Sequence, residues 1–208
     1  MTLYQDINAE LLQHGTSTLC EASKLPCWLD YAIRPVWKGA AVAGPAYPLR
    51  CAPADNLAIH IAVDAVPPGH VLVVDASGYV AGYWGEVLTV AAEARHITGI
   101  IIDGGLRDID ALERRKFPAF ARGVGMRGTV KFHAPSVGEP IVIAGVTIAL
   151  GDLVVGDTDG VLAIPQAEVP RTLAAARQRT EKEATTMQRL LAGETTLDML
   201  GLSQHRKK

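Results

Sequence analysis

An α/β fold is what this sequence predicts, on three observations. Val71-Leu72-Val73-Val74-Asp75 and Gly99-Ile100-Ile101-Ile102-Asp103 are short apolar runs, and 85–96 between them carries a helical pattern, so the three form a βαβ unit with parallel strands. Short strand-like runs alternate with helical stretches elsewhere, with no repeat, low-complexity tract or linker. A chain of 208 residues, 49% of them hydrophobic, can bury a substantial core. One domain is therefore expected over 1–208, with its core at about 15–165 and a C-terminal helix and tail at 166–208.

Residues 3–14 and 16–25 read as two short helices, with Thr16 and Ser17 as candidate caps after Gly15. The run 39–51 is strand-like, and its two prolines imply an edge or a bend. Asp55 and Asn56 cap an apolar helix through Val66. The βαβ unit follows, and ligands are expected in the crevice beyond the carboxyl ends of its strands, where 76–85 and 104–108 lie. A short helix starts at Asp108. Strands are expected at 118–122, 127–133, 140–149, 153–157 and 160–164, with tight Gly-Asp turns. Finally, 166–192 reads as one long helix, charged on most faces, in a solvated or intersubunit position.

Composition excludes several functions. With a formal charge of −2 and no basic run except Arg206-Lys207-Lys208, the chain lacks the footprint of a nucleic-acid binder. Cys20, Cys27 and Cys51 show no CxxC spacing and cannot all pair within the chain, which fits a reducing cytoplasm and no zinc site. The N-terminus lacks the pattern of a signal peptide, and no apolar run approaches the ~20 residues of a membrane helix.

Gly104-Gly105-Leu106-Arg107-Asp108 closes the second strand of the βαβ unit, so a guanidinium and a carboxylate sit side by side where a buried segment surfaces. Twenty residues separate Glu86 from Arg107, and Glu86 follows Gly82-Tyr83-Trp84-Gly85 at the start of a helix. Arg107 can hold a small carboxylate or enolate in a bidentate fork, Asp108 can ligate a hard divalent cation, and free amides at the helix start can bind an anion. Together these describe a metal-assisted site for a 2-oxo acid.

These segments, with Asp75-Ala76-Ser77-Gly78 and Gly151-Asp152 through Asp157-Thr158-Asp159-Gly160-Val161, resemble the RraA-like family over roughly residues 15–202. That family joins class II 4-hydroxy-4-methyl-2-oxoglutarate / 4-carboxy-4-hydroxy-2-oxoadipate aldolases with a non-catalytic regulator that binds a ribonuclease. The resemblance implies a swivelling β/β/α domain with N-terminal helices and a long C-terminal helix. It implies that Arg107 and the backbone of Gly85, Glu86, Val87 and Leu88 hold a pyruvoyl group, and that Asp108 binds Mg²⁺ or Mn²⁺. It further implies a homotrimer or homohexamer, with Glu21 and Glu183 reaching the metal's water shell from a neighbouring subunit. Cleavage of a 4-hydroxy-2-oxo diacid to pyruvate and a second oxo acid is the activity implied, with oxaloacetate decarboxylation adjacent to it because both pass through the same enolate. The chain departs from many aldolases at Ala111, where they carry an acid, and Arg107-Asp108-Ile109-Asp110-Ala111-Leu112 is closer to the regulator. It keeps an acid at Glu86 and a long C-terminus, which favour the aldolase.

No lysine is expected in the constellation: Lys116 and Lys131 are the nearest in sequence and neither adjoins the Arg-Asp pair, so a Schiff-base mechanism is disfavoured. The six histidines show no metal-ligand spacing and read as structural or exposed. Tyr79, Tyr83 and Trp84 flank the expected pocket, shaping it or simply packing beside it.

Overall fold

The structure, a computed structural model, describes residues 3–206, with the side chains of 3–5 left aside. In chain order the elements are α1 (Leu3–Ser23), β1 (Arg34–Pro35), β2 (Val42–Arg50), α2 (Leu57–Ala65), β3 (Val71–Asp75), α3 (Glu86–Ala94), β4 (Gly99–Leu106) and α4 (Ile109–Arg115). There follow β5 (Ala119–Val124), β6 (Ser136–Val137), β7 (Ile141–Ile143), β8 (Val146–Ile148), β9 (Leu153–Asp157), β10 (Gly160–Ile164), α5 (Val169–Leu191) and α6 (Thr196–Met199).

The main sheet runs β1-β5-β4-β3-β2-β9-β10, with β6 beside β2. Strands β2, β3, β4 and β5 are mutually parallel, so their carboxyl ends share one rim, and that rim carries the Arg-Asp pair. Residues just before β1 run along β10, with Leu29 N–H donating to Val161 O at 2.9 Å. The two edges are thereby linked and the sheet nearly closes on itself.

Period-two side chains explain why these strands are apolar on both faces. Leu72, Val74, Ile100 and Ile102 pack under α2 and α3 with Trp84 and Phe117, while Val71, Val73, Ile101 and Phe120 face the inside of the curved sheet with Ile141 and Ile148. A third cluster lies under α1 and the first half of α5, joining Leu11 and Leu19 to Val155, Leu162, Ile164 and Leu173.

Several expectations need correction. The run 39–51 is central in the sheet, not an edge; its prolines are tolerated because β2 changes partner midway, pairing through Val42–Pro45 with β9 and through Ala46–Arg50 with β3. Residues 127–133 form no strand: only Val130 makes an isolated bridge, to Asp55. The run 140–149 is a hairpin, β7 and β8, turning at Ala144-Gly145, where both residues have positive φ. Thr16 and Ser17 do not cap the second half of α1 with their own side chains. Asp157, at the β9–β10 turn, does so by accepting the Thr16 N–H at 2.7 Å and its hydroxyl at 2.6 Å, while Gly15 breaks the helix with φ 76. In α2 the cap is Asp55, whose Oδ1 accepts the Leu57 N–H at 2.9 Å; the Asn56 amide donates instead to Tyr83 O. The long helices also find more apolar contact within one chain than their charge suggests: Val169, Thr172, Leu173 and Ala176 of α5 are buried, and no residue of its second half is.

Candidate active site

Beyond β3 the chain crosses to α3 through Gly82-Tyr83-Trp84-Gly85, and beyond β4 it emerges at Arg107-Asp108. The two crossings are locked together. Arg107 N–H donates to Trp84 O at 2.9 Å, and Asp108 Oδ2 accepts the Glu86 N–H at 3.0 Å. Asp108 thus caps α3 and not α4, the helix it precedes, where its side chain makes no cap bond. It does so from the left-handed region, φ 62 and ψ 37, a conformation that among residues with a Cβ Asp and Asn tolerate best. Gly85 makes the approach possible: a Cβ there would lie 2.3 Å from Asp108 Oδ2.

A cleft of about 360 Å³ opens at this junction, lined by Gly82, Tyr83, Trp84, Gly85, Val87 and Leu88 on one side of the lock and by Arg107 and Asp108 on the other. Of the first-turn amides of α3, that of Glu86 is taken by Asp108. Those of Val87 and Leu88 have no intrahelical acceptor by the geometry of a helix start, and both residues face the cleft. Arg107, a half-exposed guanidinium, stands beside them. Tyr83 and Trp84 are buried and fixed, Tyr83 by its hydroxyl between Ala54 N and Ala52 O, Trp84 by an indole N–H to Thr89 Oγ1 and by stacking on Phe117. Tyr79 instead accepts a hydrogen bond from Arg127.

Five cleft residues are not announced by the sequence as site residues: Asn56, His60, Gly128, Thr129 and Lys131. The expectation that no lysine joins the constellation is corrected: Lys131 lies 24 positions after Arg107 and reaches the cleft from an irregular loop, so neither spacing nor periodicity marks it. His60 comes from α2; burial first, and then the charge of Lys131, hold its pKa below the ordinary imidazole value. Asn56 donates its amide to Tyr83 O at 2.9 Å, which leaves its buried Oδ1 without a protein partner.

Glu86 is not among these residues. Its carboxylate pairs with Arg115 at 3.2 Å, and it lines a second hollow outside the cleft with Arg107, Asp108, Asp110, Ala111, Arg114, Val124 and Met126. Arg107 and Asp108 therefore form the ridge between two hollows. Glu21 and Glu183 come together elsewhere, both paired to Arg179 where α1 packs on α5.

Among the described residues no three His, Cys, Asp or Glu side chains gather as a metal cage. The donor set at the site is one carboxylate, Asp108, with one oxygen on the Glu86 amide. That fits a hard cation that keeps most of its waters and takes one carboxylate, the habit of Mg²⁺, and it fits no metal requiring several protein ligands. No described helix is long and apolar enough to cross a membrane.

Residues 16–163 match the family model described as RraA-like: Aldolase/RraA. A Halalkalibacterium halodurans protein named "Putative 4-hydroxy-4-methyl-2-oxoglutarate aldolase" is 36% identical over 152 residues, 73% of this chain and 72% of its own length. A Burkholderia multivorans protein of the same name is 32% identical over 155 residues, covering 71% of this chain and 94% of that protein. An uncharacterized protein from Pseudomonas syringae superposes with TM-score 0.82 at 31% identity, over 94% of this chain and 92% of that one. A Streptomyces coelicolor protein titled an unusual member of the RNase ES inhibitor RraA protein family superposes with TM-score 0.77 at 24% identity, covering 88% and 98%, a likeness of fold alone.

Proposed function

The chain belongs to the RraA-like Aldolase/RraA family, and from that premise we propose that it is a divalent-metal-dependent lyase cleaving a 4-hydroxy-2-oxo diacid to pyruvate and a second oxo acid. One observation carries the reading. A single cleft brings together a guanidinium, two free helix-start amides, a carboxylate and, some distance along the chain, a lysine. An anion fork at one end and a second cation suit a substrate with two carboxylates.

In the proposed mechanism the amides of Val87 and Leu88 bind the carboxylate of the 2-oxo acid, and Arg107 faces the 2-oxo oxygen, where negative charge develops. The 4-hydroxyl loses its proton to a water, the C3–C4 bond breaks, and its electron pair passes into the pyruvate enolate as the second oxo acid leaves. Protonation at C3 completes pyruvate. Asp108 holds the Mg²⁺ or Mn²⁺, which when bound supplies Lewis-acid polarisation of the oxo group. Glu86, turned to the outer hollow and steadied by Arg115, orients a water at the Asp108 ridge. Lys131 reads the distal carboxylate. Loss of CO₂ from oxaloacetate leaves the same enolate, so the same groups support that decarboxylation.

We place the working unit in a homotrimer or homohexamer, where Glu21 and Glu183 approach a neighbour's Asp108. The competing reading, a non-catalytic partner of a ribonuclease, draws on Ala111, buried in α4 where many aldolases have an acid. Pyruvate release from 4-hydroxy-4-methyl-2-oxoglutarate and from oxaloacetate decides between them. Turnover with Mg²⁺ that EDTA abolishes and Mn²⁺ restores is expected. Undiminished turnover in chelator rejects the metal, and absence of turnover under every condition rejects the lyase.

A further inference from the structure

The loop that carries Lys131 is not regular structure, yet it is tightly held. Val130 N–H donates to Ala54 O at 2.9 Å, and Asn56 N–H donates to Val130 O at 3.1 Å. Immediately after Lys131, the N–H groups of Phe132 and His133 both donate to Asp55 Oδ2, at 2.7 and 2.8 Å, with His133 Nδ1 a further 3.3 Å away. Lys131 is thus bracketed by two fastenings, both made by the 54–56 segment. Asp55 itself is 1% exposed. Burial opposes its charge, but the amides of Leu57, Phe132 and His133 and the His133 ring outweigh it and hold its pKa below the ordinary aspartate value.

A helix cap needs one carboxylate oxygen, and Oδ1 supplies it to α2. Oδ2 is devoted wholly to the loop, a use that capping does not explain. We propose that Asp55 is a positioning residue for substrate selection: by fastening 130–133 it holds Lys131 at the cleft, where Lys131 distinguishes a 2-oxo diacid from a 2-oxo monoacid. This rests on the function proposed above.

The test compares Asp55→Asn, Lys131→Met and the double variant, in the full chain with Mg²⁺, on two probes. Oxaloacetate decarboxylation reads a diacid; deuterium exchange into the pyruvate methyl group reads a monoacid. An asparagine keeps the cap oxygen but cannot accept both loop amides with its NH₂ group. The ratio of oxaloacetate kcat/KM to the pyruvate exchange rate should fall about tenfold in each single variant, as expected when a charged side chain no longer meets a carboxylate. The double variant should fall no further, because Asp55 acts through Lys131. Proportional loss on both probes, or a double variant that loses the product of the two effects, overturns the proposal. Amide exchange supplies a measurement independent of turnover and of whether Asp55→Asn folds. In the wild-type protein the Phe132 and His133 amides should exchange far more slowly than that of Lys131 before them, and equal rates overturn the fastening. A wild-type protein inert on both probes rejects the lyase and the selectivity with it, while the exchange rates still decide whether Asp55 holds the loop.

Discussion

Asp108 Oδ2 accepts the Glu86 backbone N–H at 3.0 Å, so the carboxylate at the end of β4 is also the cap of α3. Two crossings of the sheet are joined by one side chain. Charge at Asp108 and the geometry of the first-turn amides of α3 are consequently coupled, and a substitution there acts on both.

Asp108→Asn should separate them. Asparagine tolerates the left-handed conformation and keeps an oxygen for the Glu86 amide, but carries no charge for a cation. The variant's unfolding free energy should lie within about 1 kcal/mol of the parent's, with metal-dependent turnover lost. Asp108→Ala loses the cap and strains an alanine at positive φ, which together cost about 2 kcal/mol. Denaturant unfolding beside pyruvate release measures both. An active Asp108→Asn shows the carboxylate to be purely a cap.

Arg107→Lys keeps the charge and removes the fork. If the guanidinium faces the developing enolate oxygen, kcat/KM for pyruvate release should drop about a hundredfold, as for losing one aimed oxyanion donor. A drop below about threefold counts against bidentate contact.

The parts of the molecule legible in sequence are those where one local pattern decides the outcome. Strands β3, β9 and β10 lie where apolar runs bounded by Asp, Gly or Pro predict them, and the Arg-Asp pair lies at the rim that a parallel sheet dictates. What was not legible depends on contacts distant in sequence. The β-like pattern of 127–133 belongs to a loop whose Phe132 amide is satisfied by Asp55, 77 positions away, and not by a ladder. Pro45 and Pro48 suggest an edge or a bend because a single strand cannot reveal that its partner changes between them. Lys131 and His60 reach the cleft for the same reason, so lysine is present at the site although none adjoins the Arg-Asp pair in sequence.

His60 provides a pH test of that geometry. Burial is the larger cause of its lowered pKa and Lys131 the smaller, so Lys131→Met should raise the His60 value only part of the way back to about 6.5. A folded pKa below the unfolded one favours the neutral ring, so this stabilising contribution is present above pH ~6.5 and is lost as pH falls through the folded value. Histidine ring signals followed by NMR titration in both proteins read the shift directly. An unchanged His60 titration in Lys131→Met removes the electrostatic contact between them.

Assembly supplies the last prediction. Glu21 and Glu183 share Arg179 within one chain, and the half of α5 that carries Glu183 has no buried residue, so this segment is available to a neighbouring subunit. If Glu183 serves a neighbour's Asp108, inactive Asp108→Ala chains mixed with inactive Glu183→Ala chains should recover activity. A mixed interface can pair an intact Asp108 with an intact glutamate, and random exchange makes a minority of such sites. Mass spectrometry of the mixture verifies exchange, and pyruvate release reads the recovery. Verified mixed oligomers that stay inactive confine each site to one chain or remove Glu183 from it. A Glu183→Ala protein that is active on its own shows its carboxylate to be no more than a partner of Arg179.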